Sequence, residues 1–164
     1  MAVPWAGAFG LLVLGISLFR ASQRGHVWKR SLWFGASTFY TALVLYRCFL
    51  NREPGSYGQL DLRLWSTVES ASGYHYFIDN VIMFIPAGAL LVLFFYERFQ
   101  RGWGAVTASV ITGVVISLAI ECLQAMTGLG VFHVDDLAAN GIGDAIGVAL
   151  AVTFLALSQV RAGG

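Results

Sequence analysis

Two long apolar segments, joined by a connection that contains no lysine or arginine, constrain the fold of this chain more than any other feature. They cover residues 103–125 and 137–158. Each is long enough to cross a bilayer as an α-helix, which takes about 20 residues. Only 12% of the 164 residues are charged and 57% are hydrophobic, whereas a soluble domain has about 25% charged residues. We therefore expect an integral membrane protein, and the net charge of +1 gives no basic surface for nucleic acid.

The apolar segments predict an all-α fold, a polytopic transmembrane helical bundle of about five spans that forms a single domain over residues 1–164. The expected spans are 2–19, 32–50, 77–96, 103–125 and 137–158. Seven basic residues fall on one side of the membrane, namely Arg20, Arg24, Lys29, Arg30, Arg98, Arg101 and Arg161. The other side has three: Arg47, Arg52 and Arg63. Because cytoplasmic loops are enriched in Lys and Arg, the N-terminus is expected outside and the C-terminus in the cytoplasm.

The longest predicted loop, residues 51–76, contains a short run whose secondary structure the pattern leaves open. One helical face collects Leu60, Leu64, Trp65 and Val68, which fits a short interfacial helix. The alternation from Leu60 to Leu64 fits a strand equally well, because periodicity does not decide a run this short. Both alternatives stay open.

Polar side chains that are unsuited to hydrocarbon gather at the outer ends of four predicted spans. In chain order they are Arg47 at the end of the second span, Asp79 and Asn80 at the start of the third, Glu121 and Gln124 at the end of the fourth, and Asp135, Asp136 and Asn140 around the start of the fifth. An ionisable group inside a membrane span is by default a functional-site hypothesis. We expect these side chains to converge at one depth beneath the outer surface.

The spacing of these residues places them on shared helix faces. Gly113, Ser117, Glu121 and Gln124 are separated by four, four and three residues, and Asp136, Asn140 and Asp144 by four and four. Asp144 falls roughly 10 Å below the start of its predicted helix at 1.5 Å per residue. A carboxylate at that depth needs a partner, a proton or water. We expect Arg47 to form an ion pair with Glu121, Asp136 or Asp144.

Structural roles are the alternative for most of these residues. Acids near a helix N-terminus are favoured by the helix dipole, so Asp135 and Asp136 are also candidate caps of the fifth helix. Asp79 and Asn80 are candidate caps of the third helix in the same way. Ser117 is a candidate for a bond to its own helix, and Gln124 for a bond between helices. A separate pattern, Gly143 and Gly147, predicts close packing of the fifth helix against another.

The polar residues suit more than one chemistry. Glu121, Asp135, Asp136 and Asn140 carry hard oxygen ligands that fit Mg²⁺ or Ca²⁺. A divalent cation there would hold a pyrophosphate head group or activate water, with Glu121 and Asp136 as the candidate catalytic residues. No HExxH or GxSxG motif is present. Whether the protein is an enzyme, and whether it uses a cofactor, is therefore left open by the sequence.

The chain resembles the VanZ-like family of bacterial integral membrane proteins over roughly residues 40–150. The resemblance is carried by an ordered set of residues: Asn80, Phe84, Pro86 and Gly88, then Ser117, Glu121 and Gln124, then Asp135, Asp136, Asn140, Gly143 and Gly147. Arg47 resembles the arginine that ends the family's preceding helix. The chain departs from the family at Gly130 and His133, where an Arg and an Asp are common, and at Asp144, where a small residue is usual.

The resemblance implies a cell-envelope context, because some members are associated with resistance to teicoplanin and others with cell-surface polysaccharide systems. We expect a plasma-membrane protein whose outer-leaflet pocket binds an amphipathic or lipid-linked envelope molecule, such as a polyprenyl-linked glycan or a lipoglycopeptide, among the membrane lipids. The expected ligand-binding residues are Arg47, Asn80, Ser117, Glu121, Gln124, Asp135, Asp136, Asn140 and Asp144. A metal-assisted membrane enzyme acting on a lipid phosphate or glycolipid, and a transporter or flippase component in which Glu121 and Asp144 carry protons, are the alternatives.

Overall fold

A computed structural model describes residues 27–50, 54–55, 57–99 and 102–162 of the chain. The chain divides into two compact units, Met1–Glu53 and Pro54–Gly164. In the first unit, helix α1 (Val27–Leu45) continues into a π-helix, Tyr46–Leu50. The predicted second span at 32–50 is therefore helical. The predicted first span at 2–19 lies outside the described residues.

Three long helices form the second unit: α2 (Ala71–Phe99), α3 (Gly102–Thr127) and α4 (Val134–Ala162). All three are long and apolar enough to cross a membrane. They correspond to the predicted spans at 77–96, 103–125 and 137–158, although α2 and α4 begin earlier than predicted. The predicted helical fold is confirmed, with three helices that could cross a membrane by length and composition. The count of five spans and the orientation of the termini stay predictions.

Helices α2 and α4 pack closely enough for their backbones to touch. Gly143 and Gly147 of α4 face the backbone carbonyls of Val81 and Ile85 on α2, and a Cβ at either glycine would overlap those oxygens. Gly88 of α2 faces the α4 backbone with equally little space. The close packing predicted from the glycine pair is confirmed, and its partner is α2.

A loop before α2 pairs with the connection between α3 and α4. Strand β1 (Leu60–Asp61) runs parallel to strand β2 (Phe132–His133), with Leu60 opposite Phe132. Of the two alternatives for this loop, the strand is correct at Leu60–Asp61. Helix appears only as a single 3₁₀ turn at Thr67–Glu69. We call residues 54–70, which contain β1 and this turn, the strap.

The strap also completes the C-terminal end of α3. Gly128 has a φ of +71°, which glycine adopts at low cost, and the Leu129 amide donates to the Gln124 carbonyl at 3.0 Å. This is the bonding pattern of a Schellman cap. The Gly58 amide donates to the Ala125 carbonyl at 2.9 Å, and the Gly55 amide to the Gly128 carbonyl at 2.8 Å. The strap therefore satisfies backbone carbonyls that the helix end would otherwise leave unpaired.

Candidate functional site

Eight polar or charged side chains are buried among the described residues, with exposed fractions between 0% and 6%. They are Ser109, Ser117, Glu121, Gln124, Asp135, Asp136, Asn140 and Asp144. All except Ser109 were predicted from the sequence. Ser109 donates to the Ala105 carbonyl of its own helix at 2.7 Å, so its hydroxyl is satisfied locally. We call the other seven, together with Asn80, the polar cluster.

Asp135, in the first turn of α4, binds the strap through its carboxylate. Its Oδ1 accepts a hydrogen bond from the Trp65 amide at 2.5 Å, and its Oδ2 accepts one from the Thr67 amide at 2.7 Å. Trp65 has a φ of +69°, a conformation that is rare for a bulky residue. Both carboxylate oxygens thus bind another segment of the chain, and Asp135 is fully buried beneath it.

Asp136, the next residue, connects α4 to α2. Its Oδ1 accepts a hydrogen bond from Asn80 Nδ2 at 2.9 Å. Because α2 begins at Ala71, Asp79 and Asn80 lie in its third turn. The interpretation that they cap this helix is therefore wrong. The polar and aromatic residues at its start were assigned to the preceding loop, and the true N-terminus was missed for that reason.

Glu121 connects α3 to the short strand β2. Its Oε2 accepts a long hydrogen bond, 3.3 Å, from the His133 amide, and the side chain is only 2% exposed. Gln124 lies one turn nearer the helix end and is also buried. The predicted shared face of α3 is therefore a buried face, and its outer part lies beneath the α3–α4 connection.

The deeper part of the cluster lies between α3 and α4. Asn140 Nδ2 donates to Ser117 Oγ at 2.9 Å, so Ser117 takes part in a bond between helices. One turn further in, the Asp144 carboxylate lies against Gly113, where an added Cβ would be 2.6 Å from the carboxyl carbon. Because α4 begins at Val134, Asp144 is about 15 Å from the start of its helix, deeper than the sequence suggested.

Some buried oxygen atoms of the cluster have unused hydrogen-bonding capacity. In the described part of the chain, Asn140 Oδ1 and Asp144 Oδ1 are buried without a hydrogen-bond partner. Nδ1 of His133, in the neighbouring strand β2, is also buried without one. Leaving a buried polar group unsatisfied costs about 1–3 kcal/mol. These atoms can therefore accept a donor or a cation from a bound species with a gain in free energy.

Two predicted features of the site are not decided by these contacts. No group of three or more His, Cys, Asp and Glu side chains that could hold a metal ion occurs among the described residues. The Mg²⁺ or Ca²⁺ ligand set of Glu121, Asp135, Asp136 and Asn140 stays a prediction. Arg47 belongs to the first unit, on the π-helix, and its ion pair with the cluster also stays a prediction.

A separate cleft of about 220 Å³ lies at the opposite end of the helices of the second unit. Its lining consists of Val92, Tyr96, Gly102, Val152, Leu155, Ala156 and Gln159. Gln159 Nε2 donates to the Tyr96 hydroxyl at 2.5 Å at its edge. Sequence reasoning missed this cleft, because mostly apolar residues at helix ends give no signal that separates them from lipid-facing residues.

Comparison with known proteins identifies a family. The family model described as VanZ/LLP1 matches residues 38–156, which include the C-terminal part of α1, all of α2 and α3, and most of α4. The match also covers every residue of the polar cluster. No curated protein and no solved structure matches the chain.

Proposed function

We propose that this chain, which belongs to the VanZ/LLP1 family, binds the polar head group of an amphipathic or lipid-linked cell-envelope molecule at the outer leaflet of the plasma membrane. Its role would be an accessory one, in envelope biogenesis or in resistance to glycopeptide-type antibiotics such as teicoplanin. One observation carries the proposal: polar side chains from three apolar helices meet at the same end of the unit and bond to one another, as in the pair Asn80–Asp136.

The outward orientation rests on the distribution of basic residues. The strap and the α3–α4 connection lie at the cluster's end of the helices, and the basic residues of the loop at 97–102 lie at the other end. Cytoplasmic loops are the ones enriched in Lys and Arg. A cluster at the less basic end therefore faces the extracytoplasmic leaflet, where envelope intermediates and lipoglycopeptides are exposed.

An amphipathic ligand fits the two environments of this unit. The outer layer of the cluster contains buried carboxylates and amides, among them Glu121 and Gln124, whereas the outward face of α3 exposes apolar side chains such as Ile111 and Val115. A polar head group would bond to the carboxylates and amides of the cluster, and an alkyl or polyprenyl chain would lie along the apolar face of α3.

The charge of the cluster favours a particular kind of head group. No Lys or Arg occurs among the buried polar side chains that the structure describes, whereas four of them are carboxylic acids: Glu121, Asp135, Asp136 and Asp144. Carboxylates accept hydrogen bonds and repel anions. Sugar hydroxyls, peptide amides and amines therefore suit this site better than a bare phosphate.

Thermal-shift measurements on the purified protein in detergent micelles test this proposal. The probes are teicoplanin and a farnesyl-pyrophosphate-linked disaccharide. Both Glu121→Gln and Asp136→Asn should weaken binding by roughly 10- to 100-fold, because a hydrogen bond to a charged group contributes about 1.5–3 kcal/mol. Ser109→Ala is the matched control, since it removes a buried hydroxyl of α3 that bonds within its own helix.

Two outcomes would contradict the proposal. One is that neither probe raises the melting temperature of the native chain. The other is that both acid variants bind a probe as tightly as the native chain does. Chromatography of the same samples tests the enzyme alternative, because cleavage of the disaccharide probe by the native chain and not by Glu121→Gln would indicate catalysis instead of binding.

A further inference from the structure

The deepest part of the polar cluster contains buried oxygen atoms that can accept a further hydrogen bond or a cation. Ser117, Asn140 and Asp144 are 2–3% exposed, and they lie inside helices that are apolar enough to cross a membrane. Asn140 Oδ1 and Asp144 Oδ1 have no hydrogen-bond partner within the described residues. We propose that these three side chains form an intramembrane binding site for a hard monovalent cation, with Na⁺ as the occupant. The site is deeper than the outer layer that would meet a head group.

The contacts place the three oxygen donors at a single helix interface. Asn140 bonds to Ser117 across the interface at 2.9 Å. The Asp144 carboxylate lies one helical turn further in, against Gly113, which is itself one turn from Ser117. Two successive turns of α3 therefore face two successive turns of α4. The side chains at this junction are an amide, a hydroxyl and a carboxylate.

The direction of the Asn140–Ser117 hydrogen bond shows which atoms remain for a ligand. Asn140 donates through Nδ2, so its Oδ1 remains available to a ligand. Ser117 Oγ accepts one hydrogen bond and has a second lone pair. Asp144 contributes a further oxygen acceptor without a partner. Three acceptor oxygens in an apolar interior are satisfied by a cation, and amide, hydroxyl and carboxylate oxygens are the ligands that hard cations prefer.

The charge at this depth favours a monovalent ion over a divalent one. Asp144 is the only acid of the three donors, and one Na⁺ would neutralise it. Net charge in a hydrocarbon environment is expensive, so a neutral combination is strongly preferred. The other acids of the cluster that are nearest in sequence position, Glu121 on α3 and Asp136 on α4, each lie at least one turn nearer the surface. Helix α2 approaches Asp144 through Gly88, which adds no charge.

The melting temperature of the full chain in detergent micelles tests the site, with NaCl exchanged for choline chloride at constant ionic strength and pH 8. Binding to the folded state raises the melting temperature in a saturable way, by roughly 3–6 °C when Na⁺ is at ten times its Kd. Asp144→Asn should abolish the Na⁺-specific rise. Ser117→Ala should raise the apparent Kd for Na⁺ several-fold, and Ser109→Ala should leave it unchanged.

Gly113→Ala tests the same cation site without removing any of its oxygen ligands. Its new methyl group would lie 2.6 Å from the Asp144 carboxyl carbon. The carboxylate must then move, and Na⁺ affinity should fall even though every ligand is retained. This variant separates the loss of ion binding from the loss of a charged group.

Three results would overturn the cation site. Equal melting temperatures in Na⁺ and choline for the native chain would exclude Na⁺ as the occupant and would indicate a proton on Asp144. An unchanged Na⁺ response in Asp144→Asn would place the ion elsewhere, and so would an unchanged response in Ser117→Ala together with Gly113→Ala. Binding of the head-group probes is measured separately, so failure of the cation site and failure of the proposed function give different patterns.

Discussion

The bond between Asp135 and the strap gives the sharpest prediction about this structure. Asp135 is fully buried and accepts the amides of Trp65 and Thr67 at 2.5 and 2.7 Å. A hydrogen bond to a charged group contributes about 1.5–3 kcal/mol, so two of them give roughly 3–6 kcal/mol. Asp135→Ala removes both bonds and leaves two amides without their acceptor. The strap should then open far more often than it does in the native chain.

Hydrogen–deuterium exchange with mass spectrometry measures this opening. Every 1.4 kcal/mol is a factor of ten in an equilibrium constant, so the lower estimate predicts exchange about 100-fold faster over residues 54–70. Asp135→Asn keeps one acceptor oxygen and should show a smaller increase. Trypsin should also cut after Arg63 sooner in Asp135→Ala than in the native chain.

Asp61→Ala is the matched control for the strap experiment. It removes a carboxylate from the same segment, but that carboxylate bonds to Arg63 and Ser66 within the strap itself. The Arg63 side chain is 81% exposed, and exposed ion pairs contribute little. Exchange in Asp61→Ala should therefore rise far less than in Asp135→Ala. If Asp135→Ala also exchanges at the native rate, Asp135 does not hold the strap and the inferred energetics are wrong.

Two further predictions concern helix packing and pH. Gly147→Ala should destabilise the fold by about 1–3 kcal/mol, the usual cost of overpacking, because its Cβ would overlap the Ile85 carbonyl; thermal unfolding in micelles measures this, with Gly141→Ala as a control at an open position. Hydrogen bonds from Arg63 hold the pKa of the Asp61 carboxyl well below its usual range. A carboxyl group whose pKa is lower in the folded state stabilises that state at pH values above its unfolded-state pKa. This stabilisation is lost as the pH falls through the folded-state pKa. The Asp61–Arg63 pair should therefore persist at pH 4 by NMR, and loss of the Asp61 carboxylate signal near pH 4 would contradict this.

The length of the apolar runs predicted the three long helices of the second unit, and local periodicity predicted the polar faces of α3 and α4. Ser117 and Glu121 recur at helical spacing on α3, and both are buried, because a spacing of four residues fixes a shared face whatever the rest of the chain does. The Gly143–Gly147 pair likewise predicted close packing. A pair of this kind does not identify its partner, which the structure shows to be α2.

Local sequence patterns could not predict contacts between distant parts of the chain. The strand at Leu60 pairs with Phe132, and Asp135 bonds to the amide of Trp65. Neither partner has a feature in the sequence that points to the other, because a backbone amide is present at almost every residue. The early start of α2 was missed for a related reason. Tyr74 and Tyr76 suit a membrane interface as well as a loop, and the helix passes through them.

The glycines and the buried polar residues of the second unit act as parts of one structure. Gly88 lets the α4 backbone approach α2 at Asp144, and Gly113 leaves room for the Asp144 carboxylate on the other side. Without these two glycines, a carboxylate about 15 Å along its helix would have to point into lipid or push the helices apart. The small residues therefore determine where charge can be buried, and the polar side chains use that space. A substitution at Gly113 should therefore displace the Asp144 carboxylate more than a substitution at an exposed polar residue would.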